Sequence, residues 1–273
     1  EGSTGELAQT IRQGWLFTGQ PSPHLQRPRG SDPSNVPMHR FVVCVQNHDQ
    51  IGNRARGDRL HHVIEPARWR AATTVLLTVP MTPLLFMGQE WAASSPFQYF
   101  TDMEPDLGRL ITEGRRREFG AFPEFTELAA RERIPDPQAM TTFERSRLDW
   151  DERGAGVHAQ TLALYRELLR LRRAHPALGA ADDLVGDAVA LNEGAILIRR
   201  RHSADRFGVI AQLTGGSTVV VDAFKDHGAQ GAVVLSTEDE RFAPDPQPPE
   251  IELRGGRTVV SFHRPGAMIA RFA

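Results

Sequence analysis

Two short polar strings stand directly after apolar runs and carry the residue types that handle sugars. Gln46-Asn47-His48-Asp49 follows Phe41-Val42-Val43-Cys44-Val45, and Gly88-Gln89-Glu90 follows the run Pro83 to Met87. Asn, Gln, His and Asp in succession offer donors and acceptors together, the mixture that grips a neutral polyol. One carboxyl group in each string also suits glycosidic cleavage. There, paired carboxyl groups flank the bond, and hydrogen bonds to ring hydroxyls strengthen in an oxocarbenium-like transition state. On residue types alone, Asp49 and Glu90 form such a pair. The competing reading is that Asn-His-Asp caps the following turn, with Asp49 accepting backbone amides, and that Glu90 makes a structural hydrogen bond or salt bridge. Residue types do not separate the two.

The elements that must position these strings read as a βαβ unit. Phe41 to Val45 is β-branched and continuously apolar, the pattern of a strand covered on both faces. Ala67 to Val79 reads as a helix with Pro66 near its first turn, and Pro83 to Met87 returns as a second apolar strand. Strand, helix, strand implies two parallel strands whose polar ends share one rim. In parallel barrels that rim is the active face.

Around this unit the chain divides in two. Gly5 to Phe17 predicts a short helix with Leu7, Ile11, Trp15 and Leu16 on one face, and the five prolines between Pro21 and Pro37 predict a long surface loop. Residues 96 to 158 read as irregular, with an amphipathic helix near Gly108 to Phe119. His158 to Ala174 is a packed helix stopped by His175-Pro176. From Asp187 the pattern changes to short apolar runs at Ala188–Leu191, Ala195–Ile198, Phe207–Leu213, Thr218–Val221, Ala232–Leu235, Thr258–Phe262 and Met268–Phe272. Such spacing predicts a second, all-β unit of sandwich type.

Composition narrows the partner. Charged residues make up 24% and hydrophobic residues 40% of the 273, with a net charge of -2, so a broad electrostatic grip on nucleic acid or on an anionic membrane is not expected. The uncharged stretch Ala71 to Gly88 is broken by Pro80 and Pro83 and holds four threonines, so it reads as helix, turn and strand and not as a membrane span. The single cysteine, Cys44, cannot form an internal disulfide and is expected to be a small buried hydrophobe in a reducing, cytoplasmic setting. No cysteine and histidine spacing suggests a structural zinc site.

The ordered string from Phe41 through Gln46-Asn47-His48-Asp49-Gln50-Ile51-Gly52-Asn53-Arg54 resembles the seventh-strand motif of the α-amylase superfamily, glycoside hydrolase family 13, in the form seen in malto-oligosyltrehalose trehalohydrolases. Thr82 to Glu90 resembles the eighth-strand motif. Phe97 to Asp102, Glu113 to Phe119, Pro135-Asp136-Pro137 and Thr142 to Trp150 continue the likeness, which covers residues 7 to 175. The resemblance implies an α/β plus all-β chain. Residues 1–178 would be the C-terminal part of a (β/α)8 TIM barrel, strands seven and eight, and residues 179–273 a small antiparallel β-sandwich domain.

By that likeness Asp49 is the transition-state-stabilising carboxylate that holds ring hydroxyls, His48 contacts the same ring, and Asn47 and Gln50 line the neighbourhood. The nucleophilic aspartate and acid glutamate belong to the fourth and fifth strands, expected before residue 1, and Glu90 becomes a structural residue at the rim. The implied activity is hydrolysis of an α-1,4 bond in maltooligosyl trehalose with release of trehalose, by a retaining route without metal or organic cofactor. This chain is expected to be inactive unless a complementary N-terminal barrel portion joins it. A glucan-branching or other transferase of the same superfamily and a non-catalytic glucan-binding remnant are the alternatives. Arg115 to Arg117 is expected to be a solvated helix face with packed aliphatic stems. For Trp91 and Trp150, sugar stacking competes with packing.

Overall fold

The computed structural model describes residues 2–122, 125–179, 185–221 and 231–272. Its helices are α1 (Thr4–Gln13), α2 (His48–Gly52), α3 (Leu60–Val63), α4 (Pro66–Thr78), α5 (Pro105–Phe119), α6 (Leu128–Glu132), α7 (Met140–Arg145) and α8 (Gly156–Ala174). Its strands are β1 (Val42–Val43), β2 (Thr82–Pro83), β3 (Val185–Ala190), β4 (Ala195–His202), β5 (Asp205–Gln212), β6 (Ser217–Val221), β7 (Ala232–Ser236), β8 (Glu250–Arg254), β9 (Arg257–Phe262) and β10 (Gly266–Phe272).

The expected βαβ unit is present. β1 and β2 pair in parallel, Val42 opposite Thr82 and Val43 opposite Pro83, with α4 as the crossover. The ladder is short, with Thr82 N–H donating to the Phe41 carbonyl at 2.9 Å and Leu84 N–H to that of Val43 at 2.8 Å. Both strands are shorter than the apolar runs that encode them, and β1 is not covered on both faces, since Val42 is 64% exposed. The physical reason is the sheet itself. A two-stranded sheet gives β1 one neighbour, and no layer lies over Val42 among the described residues. Cys44 is accordingly half-buried, and partial burial raises its thiol pKa.

The uncharged run folds as expected into helix, turn and strand. Inside α4, Thr74 Oγ1 donates to the Arg70 carbonyl and Thr78 Oγ1 to that of Thr74, so these two threonines are satisfied on their own helix. Among the described residues no helix is long and apolar enough to cross a membrane. α4 ends under two guanidiniums, that of Arg200 buried and that of Arg172 partly so. Arg172 Nη1 donates to the carbonyls of Leu77 (3.0 Å) and Val79 (2.9 Å) and its Nη2 to that of Met81 (2.7 Å), while Arg200 donates to those of Thr78 and Gly179. Both meet the orphan carbonyls and the negative end of the helix dipole. Burial draws Arg200 down to about 9, with Arg172 adding to the shift.

α1 opens on a capping box, with Ser3 Oγ accepting from Glu6 N–H and Glu6 Oε2 accepting from Ser3 N–H. It closes one turn earlier than the apolar spacing predicts. Gly14 adopts φ +94°, and a Cβ there would stand 2.6 Å from the ring of Phe41, so only glycine fits and Trp15 leaves the helix to pack edge-on against that ring.

The C-terminal segment forms a five-stranded antiparallel sheet, ordered β3-β4-β5-β10-β7, and a three-stranded one, ordered β6-β9-β8. All seven apolar runs read from the sequence lie on strands, whereas β8 was missed because every residue from Glu250 to Arg254 is exposed. Alternation assigns the two faces of the larger sheet. Ile196, Ile198, Phe207, Val209 and Ile269 join Ile11, Trp69, Leu77, Leu164 and Leu168 from the helices in one core. Ala195, Leu197, Ile210 and Met268 point the other way and cluster with Val219, Val221, Val260 and Phe262 of the smaller sheet. The junction beyond Gly179 lies at residues 180–184, outside the described residues.

Candidate functional site

The polar string after β1 folds directly into α2, and Asn47 together with the Gln50 that follows the string makes that turn possible. Asn47 Oδ1 accepts from the amides of Asp49 (2.8 Å) and Gln50 (3.2 Å), and Gln50 Oε1 returns to accept from Asn47 N–H at 2.8 Å. This reciprocal box satisfies three donors of a helix too short to be stable alone. The capping alternative is therefore right about the motif but wrong about the residue, since Asn47 is the cap and Asp49 sits in the first turn.

His48 and Asp49 are left facing outward. The His48 Nε2 to Asp49 Oδ1 distance is 3.3 Å, with side chains 69% and 68% exposed. An acceptor carboxylate beside an imidazole, both open to solvent on a rigid turn, can take hydrogen bonds from ring hydroxyls. Asn47 and Gln50 have committed their carbonyl oxygens to the box and keep only their amide NH2 groups for a ligand.

Sequence reasoning missed three side chains that fix this turn. Gln46 is buried and its Oε1 accepts from Leu60 N–H at 2.8 Å, which ties the end of β1 to α3. Arg115 was expected on a solvated face. Instead its guanidinium is partly buried across the ring faces of Tyr99 and Phe119 (4.8 and 5.0 Å) and donates to the carbonyls of Gly52 and Arg54. Burial pulls its pKa down, against the opposing charges of Glu118 and Tyr99. Arg59, fully buried, joins the two polar loops by donating to the carbonyls of Met87 (2.8 Å) and Ser95 (2.7 Å). Desolvation lowers it to about 10, opposed by Glu90 and Glu152, so it stays charged at neutral pH. No spacing in the sequence distinguishes Arg59 or Arg115 from the other arginines, because their partners are backbone carbonyls.

The second string is built inward. Gln89 is buried, with Nε2 donating to Tyr165 Oη at 2.9 Å and Oε1 accepting from Phe86 N–H. Tyr165 Oη also bonds Thr73, and burial raises its pKa strongly. The charge of Glu90 opposes the lowering of the Arg59 pKa. Trp91 is core, its Nε1 donating to Glu152 Oε1 at 2.9 Å, and Trp150 packs on it at 5.1 Å with its outer face under Arg153. Behind the loop, His61 and His62 both meet the Ala93 carbonyl at 2.9 Å, and burial holds the His61 pKa down to about 4.

No protein-family model matches the sequence. A malto-oligosyltrehalose trehalohydrolase of Deinococcus radiodurans is 50% identical over 183 residues, 65% of this chain and 29% of that protein. One of Brevibacterium helvolum is 44% identical over 179 residues (64% and 30%), and one of Saccharolobus solfataricus is 31% identical over 173 (63% and 28%). Among solved structures, a Salmonella typhimurium protein described as an alpha amylase superposes with a TM-score of 0.77 at 30% identity, over 98% of this chain and 41% of its own. A Bacillus licheniformis trehalose-6-phosphate hydrolase, at 15% identity and a TM-score of 0.52 over 85% of this chain and 43% of its own, shares the fold. The chain thus spans about 30% of the length of the curated relatives it matches. In sequence it is homologous to the carboxyl-terminal part of malto-oligosyltrehalose trehalohydrolases, and in fold to α-amylase-type enzymes.

Proposed function

We propose that this chain supplies one wall of the sugar site of a retaining glycosidase that releases trehalose from maltooligosyl trehalose. Residues 1–178 are read as the last two strand and helix units of a (β/α)8 barrel and residues 179–273 as the sandwich domain behind it. The observation that carries the reading is the exposed His48–Asp49 pair on a turn capped by Asn47 and Gln50 at the end of a parallel strand, in a chain whose sequence is similar to trehalohydrolases.

In this reading Asp49 accepts hydrogen bonds from two ring hydroxyls and holds the sugar in its distorted conformation, while His48 steadies one of them. Asn47 and Gln50 act through the turn they cap, and their amide groups border the ring. The covalent nucleophile and the proton donor come from a complementary N-terminal barrel portion, and the assembled site works in the cytoplasm. Without those two groups bond cleavage has neither a partner for the oxocarbenium carbon nor a proton for the leaving oxygen.

Co-expression with the N-terminal remainder of the Deinococcus radiodurans relative, followed by an assay of free trehalose from maltooligosyl trehalose, tests this directly. Trehalose release that depends on both pieces is the expected result. Branched glucan without trehalose would assign a transferase instead, and saturable maltooligosaccharide binding without any turnover would assign a glucan-binding remnant.

A further inference from the structure

The loop from Met87 to Ser95 is gripped from outside, chiefly at its carbonyls. Arg59 takes those of Met87 and Ser95, His158 Nδ1 takes that of Trp91 at 3.0 Å, and His61 and His62 each place Nε2 2.9 Å from that of Ala93. Glu152 supplies an acceptor, receiving the Ser94 amide at 3.0 Å and the Trp91 indole N–H at 2.9 Å. The loop is not relaxed within this grip. Ala92 adopts φ +53° and ψ +56°, a left-handed conformation that an L side chain rarely takes and that persists only where its surroundings enforce it.

The two adjacent imidazoles make that grip sensitive to protons. A carbonyl only accepts, so each Nε2 carries the hydrogen shared with Ala93. His62 Nδ1 accepts from the Arg59 main-chain N–H at 3.2 Å. His61 Nδ1 is buried with no hydrogen-bond partner among the described residues. Both rings are therefore held neutral. A second proton on His62 would face an N–H donor, and one on His61 would bury a charge together with an unpaired donor. The rings stand 4.6 Å apart, so a charge on either also meets the other ring and Arg59. The remaining charged and titratable groups of this neighbourhood are His158, Glu152 and Glu90, whereas α4 presents the neutral ring of Trp69, 5.1 Å from His61.

We propose that His61 and His62 form an acid-released latch: protonation frees the Ala93 carbonyl, and the loop from Gln89 to Ser94 opens while the Asp49 turn stays closed. That turn is closed by the amides of Asn47 and Gln50 and the guanidinium of Arg115, groups that keep one protonation state in mild acid. Burial is the leading cause that holds the His61 pKa down to about 4 from 6.5, with the Ala93 bond opposing it and His62, Arg59 and His158 adding to it. In the open loop the ring returns to its ordinary value, so opening binds a proton. Opening is therefore most disfavoured above about pH 6.5, and its equilibrium grows about a hundredfold as pH falls to about 4.

Hydrogen exchange of the intact chain between pH 7 and 4, corrected for the intrinsic pH dependence of amide exchange, tests the latch. The informative amides are those of Ala92, Ala93 and Ser94, bonded to Gln89, Gly88 and Glu152, with Ile51, Asn53 and Arg54 as the reference turn. The expected result is a steep acid-dependent rise in opening at Ala92 to Ser94 and a level profile at the reference amides. His61→Gln, whose amide can still donate to Ala93 but takes no proton, should remove most of the rise. The ring signals of the unaltered chain give a readout that needs no variant, with His61 titrating in step with the loop amides. A flat profile at Ala92 to Ser94, an equal rise in both segments, an unaltered rise in His61→Gln, or a His61 ring that titrates at its ordinary value while the loop stays closed would each overturn the proposal.

Discussion

Arg115 Nη2 lies 2.7 Å from the carbonyl oxygen of Gly52, so a helix 63 residues further along the chain closes the turn that carries Asp49. The same nitrogen reaches the Arg54 carbonyl at 2.9 Å. Removing both charge-assisted bonds by Arg115→Ala should cost about 2 kcal/mol. Chemical denaturation would read this as a lower midpoint, and hydrogen exchange should speed up at residues 49 to 54. A change within measurement error would mean that the turn does not depend on Arg115.

Asp49→Asn should leave stability unaltered, because the side chain is exposed and its neighbour is an equally exposed His48. Asn47→Ala should instead cost about 1 kcal/mol, the usual effect of losing an N-cap. The pair therefore separates function from folding at two positions of one turn. Only Asn47→Ala should shift the thermal transition, while both should impair trehalose release in the complemented enzyme.

His61 gives the fold an acid-sensitive point. Its pKa falls from the ordinary 6.5 to about 4, with burial as the leading cause. The unfolded chain therefore binds the proton more readily, and the stabilisation is complete above about pH 6.5 and lost progressively as pH falls to about 4. His61→Gln should flatten the stability profile in that window, measured by thermal melts between pH 4 and 7. An unchanged slope would place the acid sensitivity elsewhere.

Glu238 joins α4 to the β-rich segment. Its Oε1 accepts from Arg70 Nη2 at 2.6 Å and its Oε2 from Arg264 Nε at 2.8 Å, with Glu238 and Arg70 both buried. Glu238→Gln leaves the Arg70 guanidinium without its counter-charge and should cost about 3 kcal/mol or more. The double substitution Arg70→Met with Glu238→Leu should recover most of that loss. A double variant as unstable as the single one would argue against the charge as the cause.

Local patterns were legible wherever backbone period and burial agree. α4, α8 and seven of the β-rich runs follow from apolar spacing, because their apolar residues are buried in one or other of the two clusters. β8 left no such trace, since pairing alone holds it at the edge of its sheet. The site was legible as a motif, and His48 and Asp49 do share one turn. The roles of Asn47 and Gln50 as a capping box were not read, although Asn-x-x-Gln has that spacing. The arginines that hold the loops were invisible, because their acceptors are main-chain oxygens set by the fold.

One apolar cluster holds Trp69 and Leu168 from the helices and Phe207 and Ile269 from the sheet. Helix and sheet residues share that buried cluster, so separating them would uncover apolar surface on both. A cut in the connection between them should therefore yield two pieces that stay associated and denature in one cooperative step. Val43 and Val45, which precede the turn carrying Asp49, pack against that same cluster.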